Sequence, residues 1–123
     1  MSAREVGEKL VAFCKAGQNV QSIETLYADD IESVEAAAPP GGSGITRGKA
    51  AVLATNVKWL EAHEIHSAVT EGPYPHGEDR FAVIFRYDVT NRASGQRMKL
   101  DEVALYTLQD GKIAKEEFFY DMG

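Results

Sequence analysis

Phe81-Ala-Val-Ile-Phe-Arg-Tyr-Asp88 decides the fold class, because its apolar residues recur with a period of two. In an extended chain Phe81, Val83, Phe85 and Tyr87 share one face, and Ala82, Ile84, Arg86 and Asp88 share the other. Met98, Leu100, Glu102, Ala104, Tyr106 and Leu108 form a second such row. Asp110-Gly111 follows that row, and this dipeptide suits a primed hairpin turn, whose central residues need positive φ. The pattern therefore predicts a returning strand over Ile113–Tyr120. Asn91–Gln96, which holds Ser94-Gly95, is a longer hairpin connection, and Ile65–Glu71 is a further strand ended by Gly72-Pro73. Four strands in antiparallel succession result.

Upstream the period changes to that of a helix. Val6, Leu10 and Phe13, broadened by Val11 and Cys14, predict a helix from Ser2 that stops at Gly17-Gln18-Asn19. A short helix over Val20–Tyr27 follows, then a turn at Ala28-Asp29-Asp30 and a strand over Ile31–Glu35. Ala36–Gly44 contains two prolines and three glycines and predicts a loop. Thr46 is placed to cap a third helix, Lys49–Glu64, whose Val52, Leu53, Val57, Trp59 and Leu60 need cover. Helices gathered before a meander predict an α+β domain, with the helices on one face of a strongly bent sheet.

A chain of 123 residues makes one domain over 1–123, with enough surface to bury for folding without staples. Nineteen acidic against 13 basic residues give a net charge of −6, which argues against nucleic-acid or membrane-surface binding. Cys14 is the single cysteine, so no internal disulfide is expected. The first nine residues carry Arg4, Glu5, Glu8 and Lys9 and no apolar core of a signal peptide, so a cytoplasmic protein is expected.

Several motifs add to this order of elements: Ala16-Gly17, Ile23-Glu-Thr-Leu-Tyr-Ala-Asp-Asp30, Thr46-Arg-Gly-Lys49, Asp110-Gly-Lys-Ile113 and Glu116-Glu-Phe-Phe-Tyr-Asp121. As an ordered set over nearly the whole chain they resemble the nuclear transport factor 2-like superfamily, in particular its SnoaL-like branch. The resemblance implies a cone-shaped α+β barrel, a pocket between the concave sheet face and the helices, and a homodimer through the outer sheet face. It also implies a range of chemistry: ketosteroid isomerases, polyketide cyclases, epoxide hydrolases and dehydratases share this fold with binding and transport domains.

Glu35, at the end of the first predicted strand, stands where ketosteroid isomerases place their general base. A carboxylate at a pocket mouth removes a proton α to a carbonyl if apolar walls raise its pKa. The oxyanion donors of those isomerases fall near Leu10 or Val11 and near Ala104, which carry no donor. Glu102 lies in the apolar Met98–Leu108 row, where an acid needs a partner or a proton. His63 or His66 is the expected partner, His63 lying four residues after Trp59 on the same helical face. Trp59, Phe85, Tyr87, Tyr106, Phe118 and Tyr120 are the expected aromatic lining for a small hydrophobic ligand. Whether Glu116 or Glu117 faces inward depends on the presence of a bulge in the last strand. His63 and His66 lack a third ligand at recognisable spacing, so no metal or other cofactor is expected.

Three readings remain open. One is an isomerase-, cyclase- or dehydratase-type enzyme using Glu35, Glu102 and His63. Another is a non-catalytic binding domain of the same fold. The third is a dimerising interaction module, which predicts a filled interior with no room for a ligand.

Overall fold

Ser2 starts the first helix by a reciprocal arrangement. Its Oγ accepts from the Glu5 backbone N–H at 3.3 Å, and the Glu5 carboxylate accepts from the Ser2 N–H. A computed structural model describes residues 2–36 and 42–120. The core of the expected Ala36–Gly44 loop, and Asp121 of the closing motif, lie outside the described residues.

Helix α1 (Ala3–Lys15) buries Val6, Gly7, Leu10 and Val11 against the sheet. Gly7 is required by close approach. A Cβ there would lie 2.6 Å from Pro73 Cβ and 3.1 Å from Phe81 Cδ2, which would push α1 off the sheet. Helix α2 (Asn19–Leu26) leads directly into β1 (Tyr27–Val34). Then come β2 (Ile45–Arg47), α3 (Lys49–Ala62), β3 (His63–His76), β4 (Arg80–Asn91), β5 (Arg97–Gln109) and β6 (Lys112–Tyr120). The six strands form one open sheet in the order β2-β1-β6-β5-β4-β3, antiparallel except for the β1–β6 pair. No helix among the described residues is long and apolar enough to cross a membrane.

The expected α+β architecture is present, and both expected inward rows point toward the helices. Phe81, Val83 and Val89 on β4, with Ala104 on β5, are fully buried with Leu10, Leu26 and Ile31. Asp110 and Gly111 both have positive φ, 53° and 77°, as the hairpin reading requires.

Four local expectations are corrected. Tyr27 opens β1 instead of closing a helix, because its ring is wanted in the core beside Ile31. Thr46 does not cap α3: it pairs with Ser33 in a short strand, and Gly48 at φ 93° is the cap residue, without a side-chain bond. The third helix ends at Ala62, so His63 and Glu64 already pair with Asn91 and Thr90. Gly72-Pro73 does not end β3. It sits in a register shift between Glu71 and Tyr74, beyond which pairing resumes to His76.

Of the five apolar residues expected to need burial on α3, only Val52 is buried; Leu53, Val57, Trp59 and Leu60 are half-buried. The reason is that α3 roofs a hollow over part of its length, where the other helices rest on packed side chains.

Candidate functional site

The hollow measures about 670 Å³ and lies between the inward sheet face and the helices. Leu10 and Cys14 of α1, Ser22 and Ile23 of α2, and Val52, Asn56 and Trp59 of α3 bound it on one side. Phe85 and Tyr87 of β4, Leu100, Glu102 and Tyr106 of β5, and Glu116, Phe118 and Tyr120 of β6 bound it on the other. All six residues expected as aromatic lining are on its wall.

A bulge selects which glutamate enters. Leu108 pairs with Ile113, but Thr107 pairs with Lys115, so Ala114 is an extra residue on β6. Ile113 points inward before it. After it the parity is reversed, and Glu116, Phe118 and Tyr120 point inward while Glu117 and Phe119 face out. Without the bulge the opposite set would face the helices.

Glu116 is 4% exposed, and its two oxygens are both engaged. Tyr27 donates its phenolic proton to Oε2, and Ser33 Oγ donates to Oε1 at 2.9 Å. Burial raises the Glu116 carboxyl from the usual 4.5 to about 7, while these two hydrogen bonds pull in the other direction. The signal for Ser33 was in the sequence: Ile31, Ser33 and Glu35 alternate onto one face of β1.

Glu102 is half-buried on the same wall and makes no hydrogen bond or ion pair among the described residues. Burial, then the charges of Glu35 and Glu116, push its carboxyl up to about 7. Glu35 lies just past β1 at the mouth, exposed, accepting from Tyr120 Oη at 3.0 Å. The three glutamates therefore share one hollow.

His63 is on the wall too, but its ring turns to the backbone. Nδ1 lies 2.8 Å from the Trp59 carbonyl oxygen, which only accepts, so Nδ1 carries the proton. Nε2 faces the Asn91 amide at 3.4 Å, and the ring stacks on Trp59 at 4.4 Å between centroids. The expected Glu102–His63 pair is thus replaced by a histidine pinned at the end of α3. His66, the alternative partner, is exposed and bonds Thr90 Oγ1 at 2.7 Å.

A model of the SnoaL-like domain matches residues 1–120. The chain belongs to the SnoaL-like family. No curated protein matches it. Among solved structures, this SnoaL-like domain is similar to a candidate SnoaL-like polyketide cyclase from Mesorhizobium loti. The two are 41% identical with a TM-score of 0.91, over 98% of this chain and 100% of that one. It is also similar in fold to a candidate isomerase from Bacillus subtilis, 18% identical with a TM-score of 0.76, over 97% of this chain and 86% of that one. A nuclear transport factor 2-like protein from Burkholderia thailandensis is 17% identical with a TM-score of 0.79, over 98% and 92% of the two chains. The expected superfamily is therefore the correct one.

Proposed function

We propose that this SnoaL-like domain moves a proton on a small, largely hydrophobic carbonyl compound held in the hollow, as isomerases and cyclases do. The observation that carries this reading is the Glu102 carboxyl: unpaired, on an aromatic-walled hollow, and pushed up to about 7. A carboxyl titrating near neutral pH is half base and half acid, the condition for efficient proton transfer in either direction. Glu102 as carboxylate takes the proton from the carbon next to the carbonyl, and the C–H electron pair becomes the enolate. The same proton returns to another carbon, and no oxidant or reductant is consumed. Trp59, Phe85, Tyr87, Tyr106 and Phe118 hold the flat apolar body, Glu35 with Tyr120 guards the mouth, and His63 fixes the Trp59 ring. The likeness to a candidate polyketide cyclase at 41% identity is in keeping with this substrate class.

The test is α-proton exchange in D₂O, followed by NMR, on a panel of cyclic ketones and aromatic β-keto esters. Exchange rises with pH through about 7 as Glu102 loses its proton, and Glu102→Gln lowers the rate by about 10²- to 10⁴-fold. A wild-type rate no faster than buffer on every compound removes the enzymatic reading.

One observation favours a second reading, a non-catalytic binding domain. The phenolic protons of Tyr27 and Tyr120 are already donated to Glu116 and Glu35, which leaves few donors for a developing oxyanion. Thermal stabilisation by a ligand that undergoes no exchange would select this second reading.

The proposed assembly is a homodimer through the outer sheet face. Phe119, Tyr74 and Val103 support it, being 52%, 51% and 40% exposed on the side away from the helices. Phe119→Glu should then give a monomer in analytical ultracentrifugation, and a wild-type monomer at micromolar concentration would remove the proposal.

A further inference from the structure

The hydrogen-bonding groups of the carboxyl-lined part of the hollow are unevenly used. Tyr27 and Ser33 donate to Glu116, and Tyr120 donates to Glu35. The third carboxyl of the wall, Glu102, is half-buried and has no hydrogen-bond partner among the described residues. A half-buried carboxyl left unpaired costs free energy, so its presence beside an open volume points to a partner that the protein itself does not supply.

The charges are lopsided in the same sense. Glu35, Glu102 and Glu116 face the hollow. Lys99 and Asp101 reach its edge from β5 but alternate with Leu100 and Glu102 onto the opposite sheet face, where Asp101 lies 3.7 Å from Arg86. Neither Glu102 nor Glu116 has a cation among the causes that move its titration. Trp59, Phe85 and Tyr87 share the wall with these carboxyls, and aromatic faces carry the negative side of a quadrupole. Anions are repelled by such a wall, and a neutral ketone leaves the carboxyls uncompensated.

We infer that the ligand of the hollow carries a positive charge: a protonated or quaternary amine on a compact apolar body, seated between the glutamates and the aromatic faces. This rests on the reading of the hollow as a ligand pocket and sharpens its substrate class. A cationic centre compensates the unpaired Glu102 carboxyl, relieves the repulsion among the glutamates and lies against the rings. Placed next to a carbonyl, it also acidifies the C–H bond that Glu102 attacks.

The probe pair is phenyltrimethylammonium and its neutral isostere tert-butylbenzene, neither of which titrates, added calorimetrically to the full chain at pH 6 and pH 8. Over this range Glu102 and Glu116, both raised to about 7, lose their protons, so the hollow becomes more negative as pH rises. The other ionisable groups on its wall are Glu35, Asp101, Lys99, His63, Cys14 and the tyrosines 27, 87, 106 and 120. Burial raises Cys14 to about 12 and drives Tyr27, Tyr87 and Tyr106 upward, so these four stay protonated throughout.

The cation is expected to bind about tenfold more tightly than the isostere at pH 8, with a smaller preference at pH 6. Glu102→Gln should reduce the preference severalfold, and so should Glu35→Gln, whose exposed site leaves folding intact if the first variant misfolds. Equal or tighter binding of the neutral compound at pH 8 overturns the inference while leaving a hydrophobic pocket standing. Binding of neither compound overturns it as well, and the exchange assay then judges the proton-transfer reading on its own. A preference indifferent to pH and to both substitutions also overturns it.

Discussion

Two tyrosine–glutamate pairs cross the same parallel junction, and they do so in opposite senses. At the closed end Tyr27 of β1 donates to Glu116 of β6, while at the mouth Tyr120 of β6 donates to Glu35 just past β1. The chemistry is the same and the surroundings differ. Glu116 is sealed, doubly hydrogen-bonded and pushed up to about 7, whereas Glu35 is exposed. A hydrogen bond made in the interior holds a group that has lost water, so removing it costs the full desolvation of what remains. The same bond at the surface competes with water and contributes little. The closed end is therefore where this fold stores its electrostatic strain, and the mouth is where a ligand can be exchanged at little cost to stability.

The largest break in this comparison comes from the parity that the bulge sets on β6. Inserting one alanine between Lys115 and Glu116 shifts the rest of the strand by one residue, turning Glu116, Phe118 and Tyr120 outward and Glu117 and Phe119 inward. The doubly bonded Glu116 is then lost from the core and an acid without those partners, Glu117, turns inward, at a cost above about 4 kcal/mol. Loss of the cooperative thermal transition is the expected result. An insertion variant that melts within a few degrees of the parent would mean that the parity of β6 does not set the inward face.

That bulge also marks the limit of what the sequence could disclose. The rows of β4 and β5 and the Asp110-Gly111 turn are legible because alternation and positive-φ chemistry are local properties. Glu102 is legible for the same reason, being an acid inside an apolar row. Glu116 is not, since Glu116-Glu117 and Phe118-Phe119 read the same in either parity and Ala114 carries no turn chemistry of its own. Tyr27 was hidden by its neighbours: Ile23 and Leu26 extend a helical stripe to it, and only the tertiary demand for its ring in the core makes it a strand residue. The partner of Glu102 failed for a different reason. Proximity in sequence placed His63 beside Trp59 correctly, but a helix-terminal carbonyl is a nearer acceptor than a carboxyl across the hollow.

A pH series sharpens the contrast between the two ends next. Glu102 and Glu116 have their folded values raised from 4.5 to about 7, so the fold favours their protonated forms. Their contribution is fully present below about pH 4.5 and is lost as pH rises through about 7, by on the order of 2–3 kcal/mol each. Urea unfolding should show stability falling over that window, and Glu116→Gln should flatten the fall. A wild-type curve that is level between pH 5 and pH 8 would leave neither carboxyl strained.

The smallest effects separate the two pairs directly. Tyr27→Phe removes one of two donors from a sealed carboxyl and should cost about 1–3 kcal/mol at pH 8. Tyr120→Phe removes the donor to Glu35 at the mouth, where water replaces it, and should cost less than about 0.5 kcal/mol. Urea unfolding of the two variants beside the parent measures both. If they lose equal stability, the mouth is as dry as the closed end, and Glu35 would then need a buried partner as much as Glu116 does. If Tyr120→Phe is silent in stability yet changes the affinity for the ammonium probe, the mouth acts on the ligand alone. That combination follows only when the carboxyl at the entrance is solvated in the empty protein and desolvated as the ligand enters.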